Sequence, residues 1–242
     1  MTLSRSYVII KLRLLSFINH KEVNMGFNKQ SDEEQQETEE ISTAQLIALA
    51  EQQGGIELRT FGLCGDIDEE KTAEILYTIL ALKESGRKET LVDPNDVNSE
   101  VETTYEPFDF LISTAGGSAY EMFGIYDLMR QVRSDCVIRT IGMGKVMSAG
   151  VVLLAAGTKG QRYIGENCRV MIHSVAGGHA GSLHNLEAEM DEIRWCQEQY
   201  VNALAKETSM TKPQIKKLLA KKINIYLNAQ EAIKYGIADI II

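Results

Sequence analysis

Two side chains able to do nucleophilic chemistry stand in the middle of the chain. Ser148 follows a glycine-rich turn (GMGKVMSAG) and opens a predicted helix, whose free N–H groups and positive potential could stabilise an oxyanion. His173 ends an apolar strand (RVMIHS), and strand ends are where parallel sheets bind ligands. The pair is typical of a nucleophile and its general base. Taken singly, Ser148 could equally be a helix N-cap and His173 a hydrogen-bonded structural histidine.

A pair of glycines between a predicted strand and a helix is the third feature. Gly116 and Gly117 could point an N–H group at a ligand, because glycine adopts dihedral angles that other residues avoid. A tight strand–helix turn explains the pair as well. A phosphate-binding loop is a weaker interpretation because the G-x-x-x-x-G-K-[ST] pattern is missing. Ser148 does not lie in a G-x-S-x-G elbow either, since Val146 occupies the first glycine position.

The other histidines and the cysteines offer little competing chemistry. His20 lies in the leading segment, and His179 and His184 lie in or beside a polar glycine-rich stretch, so His173 is the best-placed base. The four cysteines (Cys64, Cys136, Cys168 and Cys196) form no C-x-x-C pair, and three of the four lie in apolar runs. This pattern predicts reduced, mostly buried thiols and no zinc site.

Alternating strands and helices would position these residues. Strands are predicted at residues 56–63, 108–112, 136–141, 169–173 and 236–242, and helices at residues 66–84, around 122–129, from 148 onward and at 183–208. Strand, glycine-rich turn and helix recur in this order, which favours a parallel sheet with right-handed crossovers. The last helix carries an apolar stripe that must be buried on its own domain or on another subunit (Leu186, Met190, Ile193, Tyr200 and Leu204).

Composition limits the remaining possibilities. The chain has 242 residues, of which 44% are apolar, and its net charge of −9 argues against binding to a phosphate backbone. Residues 1–42 are interpreted as a doubtful leader, with Met25 as an alternative start, followed by an acidic disordered run. The folded domain is expected at residues 43–242, with an acidic surface loop at residues 88–107, and no stretch is predicted to span a membrane.

Several motifs in order resemble the proteolytic subunit of the Clp protease family. Residues 141–178 (IGMGKVMSAGVVLLAAGTKGQRYIGENCRVMIHSVAGG) are similar to the segment of that family that runs from nucleophile to base. The helix FGIYDLMRQV from Phe123 and the ending LNAQEAIKYGIAD at residues 227–239 fit the same pattern. The resemblance covers roughly residues 61–242 apart from the acidic loop. It implies an α/β spiral of parallel strands and helices, shared by Clp proteases and crotonases, with a protruding handle helix.

The resemblance also implies roles for individual residues. Ser148 would be the nucleophile and His173 its base, and Asn224 would occupy the third catalytic position. The N–H groups of Gly117 and Ala149 would form the oxyanion hole. An extended peptide would be bound by the residues beside them (Gly116, Gly117, Ser118 and Val175). Residues 175–182 and the helix that follows would be the handle through which two heptameric rings meet.

The partners implied by the resemblance are those of a compartmental protease. A heptamer or double heptamer of this chain would enclose a chamber in the cytoplasm and cleave unfolded polypeptides or peptides. An AAA+ unfoldase would consume ATP, while the chain itself would need neither a cofactor nor a metal ion. No nucleic acid and no membrane would take part.

Some positions depart from the family pattern. Asn224 stands where the family has its catalytic aspartate, and Ala115 replaces a proline before the glycines. Four further replacements affect flanking arginines or docking aromatics (Ile223 and Ile225; Asp109 and Leu111). These changes leave open a weakly active or inactive structural subunit of mixed rings. An ATP-independent peptidase that trims peptides or processes a capsid precursor is also open. A crotonase-type acyl-CoA enzyme fits less well, because it relies on carboxylates.

Overall fold

A mainly parallel sheet with seven strands organises the part of the chain described by the computed structural model. This part comprises residues 58–96, 98–178, 180–221 and 223–242. The predictions for the leader, for Met25, for the acidic run and for a domain start at residue 43 lie outside these residues. The domain boundaries therefore stay a prediction.

The strands of this sheet are β1 (Thr60–Cys64), β4 (Phe108–Thr114), β5 (Ile138–Met147), β6 (Arg162–Ile164), β7 (Arg169–Ile172), β8 (Ile225–Leu227) and β9 (Ile240–Ile241). They are arranged in the order β1-β4-β5-β6-β9, with β7 paired to β5 and β8 paired to β7. All pairings within it are parallel except that of β7 with β8. The predicted α/β class with parallel pairing is confirmed.

Six helices occur in the described residues: α1 (Glu69–Ser85), α2 (Ala119–Val132), α3 (Ala149–Ala155), α4 (Leu183–Glu207), α5 (Lys212–Leu219) and α6 (Ala229–Lys234). Helix α1 begins where the Asp68 carboxylate accepts from the Lys71 N–H, and α2 begins at Ser118 in the same way. Helix α3 (AGVVLLA) is buried along its whole length, so the element that follows Ser148 lies in the core.

Strand β5 is longer than predicted, and its length matters for the site. The strand was expected to end at Ile141, before the glycines, but it continues through them to Met147. Its first part pairs with β6 at Thr140–Gly142, and its last part pairs with β7 at Lys145–Met147. Gly144 has a φ of +64°, a value open to glycine, so the strand bends there and changes partner without ending. The chain segments after β5 and β7 therefore begin side by side.

Residues 88–107 were predicted to form a surface loop, which is wrong for residues 88–91 and 101–105, because these form strands. Strands β2 (Arg87–Leu91) and β3 (Val101–Tyr105) form an exposed antiparallel hairpin. The β-branched and aromatic side chains of VETTY favour a strand despite the acidic composition. At the base of the hairpin, the Arg59 guanidinium donates to the carbonyls of Leu82 and Glu106.

Helix α4 has two different halves. Its second half is buried through Tyr200 and Leu204, whereas Leu186 and Met190 in the first half are largely exposed. The stripe that the sequence predicts is thus covered at one end only within the described residues. None of the described helices is long and apolar enough to cross a membrane. The predicted last strand shrinks to β9, because residues 236–239 wrap the end of α6, where the Ile237 N–H donates to the Ala232 carbonyl.

Candidate active site

The backbone at Ser148 makes a sharp, strained turn between β5 and α3. Its φ of +53° and ψ of −122° make it the one non-glycine residue with positive φ among the described residues. Such a conformation costs on the order of 1–3 kcal/mol and persists only where the surroundings enforce it. The Ser148 N–H donates to the Met171 carbonyl on β7 at 2.8 Å, which fixes the turn on its strand side. Among the described residues, no backbone N–H donates to the Ser148 side chain, so the predicted alternative of a simple N-cap is not supported.

His173 lies one residue beyond β7, next to that turn. Its Nε2 is 2.7 Å from the Ser148 Oγ, which is a hydrogen bond between the two side chains. Both residues are half-buried, so a substrate could reach the hydroxyl while water access is reduced. The pairing of β5 with β7 brings together two residues that are 25 positions apart.

Gly116 and Gly117 approach the serine so closely that no side chain could replace them. A Cβ on Gly116 would lie 2.7 Å from the Ser148 Cβ, and one on Gly117 would lie 2.2 Å from the Ile67 carbonyl oxygen. Their φ angles, +109° and +155°, are also unfavourable for other residues. Ile67 holds this segment by a short bridge, because it accepts from the Ser118 N–H and donates to the Gly116 carbonyl, both at 2.9 Å.

Two backbone N–H groups beside Ser148 stay available for a ligand. Neither the Gly117 N–H nor the Ala149 N–H donates to any atom of the described residues, and Ala149 is the first residue of α3. Free N–H groups next to a serine hydroxyl are what an oxyanion hole requires. Their proposed role as the pair that binds an oxyanion remains a prediction.

Asn224 is placed near His173 by strand pairing, but no hydrogen bond joins them. In the antiparallel pair of β7 and β8, Ile172 lies opposite Ile225, so one further step puts His173 opposite Asn224. Asn224 is exposed, and within the described residues the other ring nitrogen of His173, Nδ1, has no hydrogen-bond partner. The catalytic role of Asn224 therefore stays a prediction. Its position in the strand register is compatible with that role, but its side chain forms no hydrogen bond to the His173 imidazole.

The two further residues predicted to bind substrate are already engaged in part. The Ser118 Oγ accepts from the Glu121 N–H at 3.4 Å and so caps α2. The Val175 N–H donates to the Gln197 Oε1 at 2.7 Å. An extended peptide would thus find the Val175 N–H occupied unless Gln197 moved. The predicted binding role of both residues remains a prediction.

Helix α4 supplies contacts to the site that the sequence did not reveal. Tyr200 is only 4% exposed, and its hydroxyl donates to the Ser148 carbonyl at 3.2 Å. Burial raises the pKa of the Tyr200 phenol, so the hydroxyl stays protonated and can donate. The helical spacing placed Tyr200 on the apolar stripe of the last helix. The only sequence signal for a further contact was its hydroxyl, because a buried tyrosine usually donates to a hydrogen-bond partner. Gln197, one turn earlier, gave no signal.

Metal chemistry has no candidate site among residues 58–96, 98–178, 180–221 and 223–242. No group of three or more His, Cys, Asp or Glu side chains there could hold a metal ion. The cysteines also agree with the sequence: none forms a disulfide among the described residues, and all but Cys64 are buried.

Comparison with known proteins agrees with this fold. The family described as Clp protease matches residues 97–242. The chain is 34% identical over 143 residues to the ATP-dependent Clp protease proteolytic subunit 1 of Prochlorococcus marinus subsp. pastoris, covering 59% of this chain and 71% of that protein. It is 36% identical over 131 residues to the ATP-dependent Clp protease proteolytic subunit of Deinococcus radiodurans, covering 54% and 62%.

Fold and similarity together define the class of this protein as a serine-type endopeptidase. The chain belongs to the Clp protease family, which confirms the resemblance carried by residues 141–178. The similarity does not favour the alternatives of an inactive structural subunit or an ATP-independent peptidase.

Proposed function

We propose that this chain cleaves peptide bonds through an acyl-enzyme on Ser148, with His173 as the general base. The observation that carries the proposal is the 2.7 Å contact between the His173 Nε2 and the Ser148 Oγ at a strained turn. Strain of this kind at a buried helix start has no evident structural purpose, whereas it presents a hydroxyl to both a base and free N–H groups.

The reaction follows from these positions. The Ser148 Oγ forms a bond to the scissile carbonyl carbon while its proton moves to the His173 Nε2. The carbonyl oxygen becomes an oxyanion, which the N–H groups of Gly117 and Ala149 stabilise. The carbon–nitrogen bond then breaks as His173 returns the proton to the leaving amine. Water repeats the sequence on the acyl-enzyme and releases the second product, with no net change at the enzyme.

The catalytic chain is proposed to act in an assembly. The relatives are named as proteolytic subunits of an ATP-dependent protease. We infer that this chain forms a heptamer or double heptamer in the cytoplasm and receives unfolded polypeptides from an AAA+ unfoldase. That unfoldase would be the component that uses ATP, because serine–histidine chemistry itself needs neither a cofactor nor a metal ion. The exposed apolar face of α4 (Leu183, Leu186 and Met190) supports contact with another subunit.

Labelling with a fluorophosphonate probe, read by intact mass, tests the nucleophile. We expect one adduct on the wild-type chain and none on Ser148→Ala. Ser174→Ala is the matched control, because Ser174 is a neighbouring serine whose hydroxyl donates to the Leu219 carbonyl. Its variant should still be labelled. Light scattering on each sample ensures that assembled proteins are compared.

Three results would contradict parts of the proposal. An adduct that persists in Ser148→Ala would remove Ser148 from the mechanism. An assembled wild-type chain that takes up no probe would support a structural subunit instead. Degradation of an unfolded protein without any unfoldase, as fast as with one, would favour an ATP-independent peptidase.

A further inference from the structure

Tyr200 reaches the nucleophile from a distant element. It lies on α4, 52 positions from Ser148, and its buried hydroxyl donates to the Ser148 carbonyl oxygen at 3.2 Å. The same oxygen accepts from the Val151 N–H at 3.0 Å, which is an ordinary bond in the first turn of α3. The helix would therefore keep this carbonyl satisfied without Tyr200, so hydrogen-bond satisfaction of the carbonyl does not require the phenol.

The carbonyl that Tyr200 holds belongs to the same peptide unit as the Ala149 N–H. A trans peptide unit is planar, and its C=O and N–H point in opposite directions. Fixing the direction of the Ser148 oxygen therefore fixes the direction of the Ala149 N–H. A second hydrogen bond to the oxygen also polarises the amide and strengthens its N–H as a donor. No other side chain of the described residues bonds to this peptide unit.

We propose that Tyr200 is a positioning residue that aims and polarises the Ala149 N–H toward the oxyanion of the reaction. This inference rests on the proposed function, because it presumes that Ser148 is the nucleophile. It adds a residue of α4 to the catalytic apparatus that neither the spacing of the motifs nor the similarity to relatives assigns. Tyr200 acts only through the backbone and touches no substrate atom.

Tyr200→Phe removes the hydroxyl and leaves the ring in place. Complete loss of an oxyanion donor typically lowers kcat about 10²–10³-fold, so loss of its orientation should lower kcat by about tenfold with KM unchanged. Tyr200→Met, which also lacks the hydroxyl, should show a loss of similar size. The matched control is Tyr126→Phe, since Tyr126 is 5% exposed and donates its hydroxyl to Glu207, away from the catalytic pair.

A pair of inhibitors separates orientation of the oxyanion donor from general damage. A peptide aldehyde forms a hemiacetal adduct: the Ser148 Oγ bonds to the aldehyde carbon, the π bond of the carbonyl opens, and the Oγ proton moves to the His173 Nε2. The former carbonyl oxygen then takes the oxyanion position. The corresponding peptide alcohol binds without forming this adduct. In Tyr200→Phe the inhibition constant of the aldehyde should rise by about the same factor as kcat falls, and that of the alcohol should stay constant. Tyr126→Phe should change neither constant.

The outcomes distinguish this inference from the proposed function. Unchanged kcat and aldehyde affinity in folded Tyr200→Phe would overturn the role of Tyr200 and leave Ser148 as nucleophile. Equal weakening of aldehyde and alcohol would also overturn it, because it indicates a defect in substrate binding. A wild-type chain that takes up no fluorophosphonate would overturn the proposed function, and the role of Tyr200 with it.

Discussion

Two polar regions of this chain are built in opposite ways. Around Ser148 the backbone is strained, two N–H groups have no partner among the described residues, and the side chains of Ser148 and His173 are half-buried. At the far end of α4 a second group of polar residues is tightly paired (Tyr126, Arg133, Lys159, Arg162, Glu207 and Asp239), and it is called the Glu207 cluster here. The contrast shows that the candidate active site is distinguished by unpaired N–H groups and backbone strain, and not by charged side chains.

The shifted pKa values of this protein illustrate the same contrast. Burial alone would raise the pKa of Glu207, but hydrogen bonds from Arg133 and Tyr126 outweigh it and lower that pKa. Burial would also raise the pKa of Asp239, and the Arg162 guanidinium outweighs it in the same way. Perturbed carboxyl groups often indicate active sites. In this chain they stabilise the junction of α4 with the sheet instead.

The largest effect should follow from breaking the Glu207 cluster. Arg133 donates two hydrogen bonds of 2.8 Å to the fully buried Glu207 carboxylate. Arg133→Leu leaves that charge short of a partner, which should lower the free energy of unfolding by about 3 kcal/mol. Urea denaturation measures the loss, and kcat of the folded fraction should stay constant.

Lys83→Ala is the control for this change. Lys83 and Asp135 form a more exposed ion pair at 2.8 Å, so its loss should cost less than about 1 kcal/mol. If Arg133→Leu lowered the free energy of unfolding no more than Lys83→Ala does, burial would not make the Arg133–Glu207 pair more important for stability than the exposed pair. A fall in kcat would show that the cluster and the catalytic site are coupled.

Gly116→Ala should damage catalysis more than stability. The new Cβ would lie 2.7 Å from the Ser148 Cβ at a φ of +109°, so the serine must move from its position next to His173. We expect kcat/KM to fall about 100-fold, equivalent to about 2.7 kcal/mol. Gly124→Ala is the matched control, because Gly124 lies within α2 with nothing within 4 Å of the added methyl.

The control should behave in the opposite way. Alanine in a helix interior is favoured over glycine by about 0.5–1 kcal/mol, so Gly124→Ala should raise stability and leave kcat/KM unchanged. A Gly116→Ala variant that keeps wild-type kcat/KM would mean that the serine tolerates displacement. The strained turn would then not be part of the mechanism.

Asn224→Asp should raise kcat, because it adds a negative charge at the position opposite His173. Asn224 lies opposite His173 by strand register, and a carboxylate there could bond to the imidazole and stabilise its protonated form. We expect kcat to rise by about tenfold. Asn228→Asp is the matched control, since Asn228 caps α6, aspartate caps equally well, and kcat should not change. An unchanged kcat in Asn224→Asp would mean that another group orients His173.

The strands and helices that the sequence predicted correctly are those with a clear local pattern of residues. Apolar runs, glycine-rich turns and helical spacing predicted most of the sheet and the long helix, and they placed Ser148 at a helix start and His173 at a strand end. Strand β5 was predicted too short, because the change of partner at Gly144 depends on where β7 lies. The hairpin at residues 87–105 was missed because its acidic composition outweighed its strand formers.

Contacts between distant positions were beyond prediction for a physical reason. The Arg133–Glu207 pair spans 74 positions and the Tyr200–Ser148 contact spans 52. Each partner alone looks like an ordinary residue on a helix, and only the packing of α4 against α3 brings the second pair together. The contact between Ser148 and His173 was predictable because the family resemblance extends over 38 consecutive residues, and not because the spacing alone required it.

The smallest effect near neutral pH should be that of acidification on the Glu207 cluster. Glu207 and Asp239 have lowered pKa values in the folded chain, so the unfolded chain binds more protons in acid. Their stabilisation is complete above the ordinary pKa values of 4.5 and 3.8, and it is lost as the pH falls through the lowered ones. We expect a constant urea midpoint between pH 8 and 6 and a decline in acid.

Glu207→Gln is the control, because a glutamine cannot titrate at that position, so the urea midpoint of this variant should decline less steeply with acid. Glu106 and Glu198 at the surface also have lowered pKa values, but they contribute equally to both proteins. If the urea midpoints of the wild type and Glu207→Gln declined in parallel, titration of Glu207 would contribute nothing to the acid sensitivity of the fold.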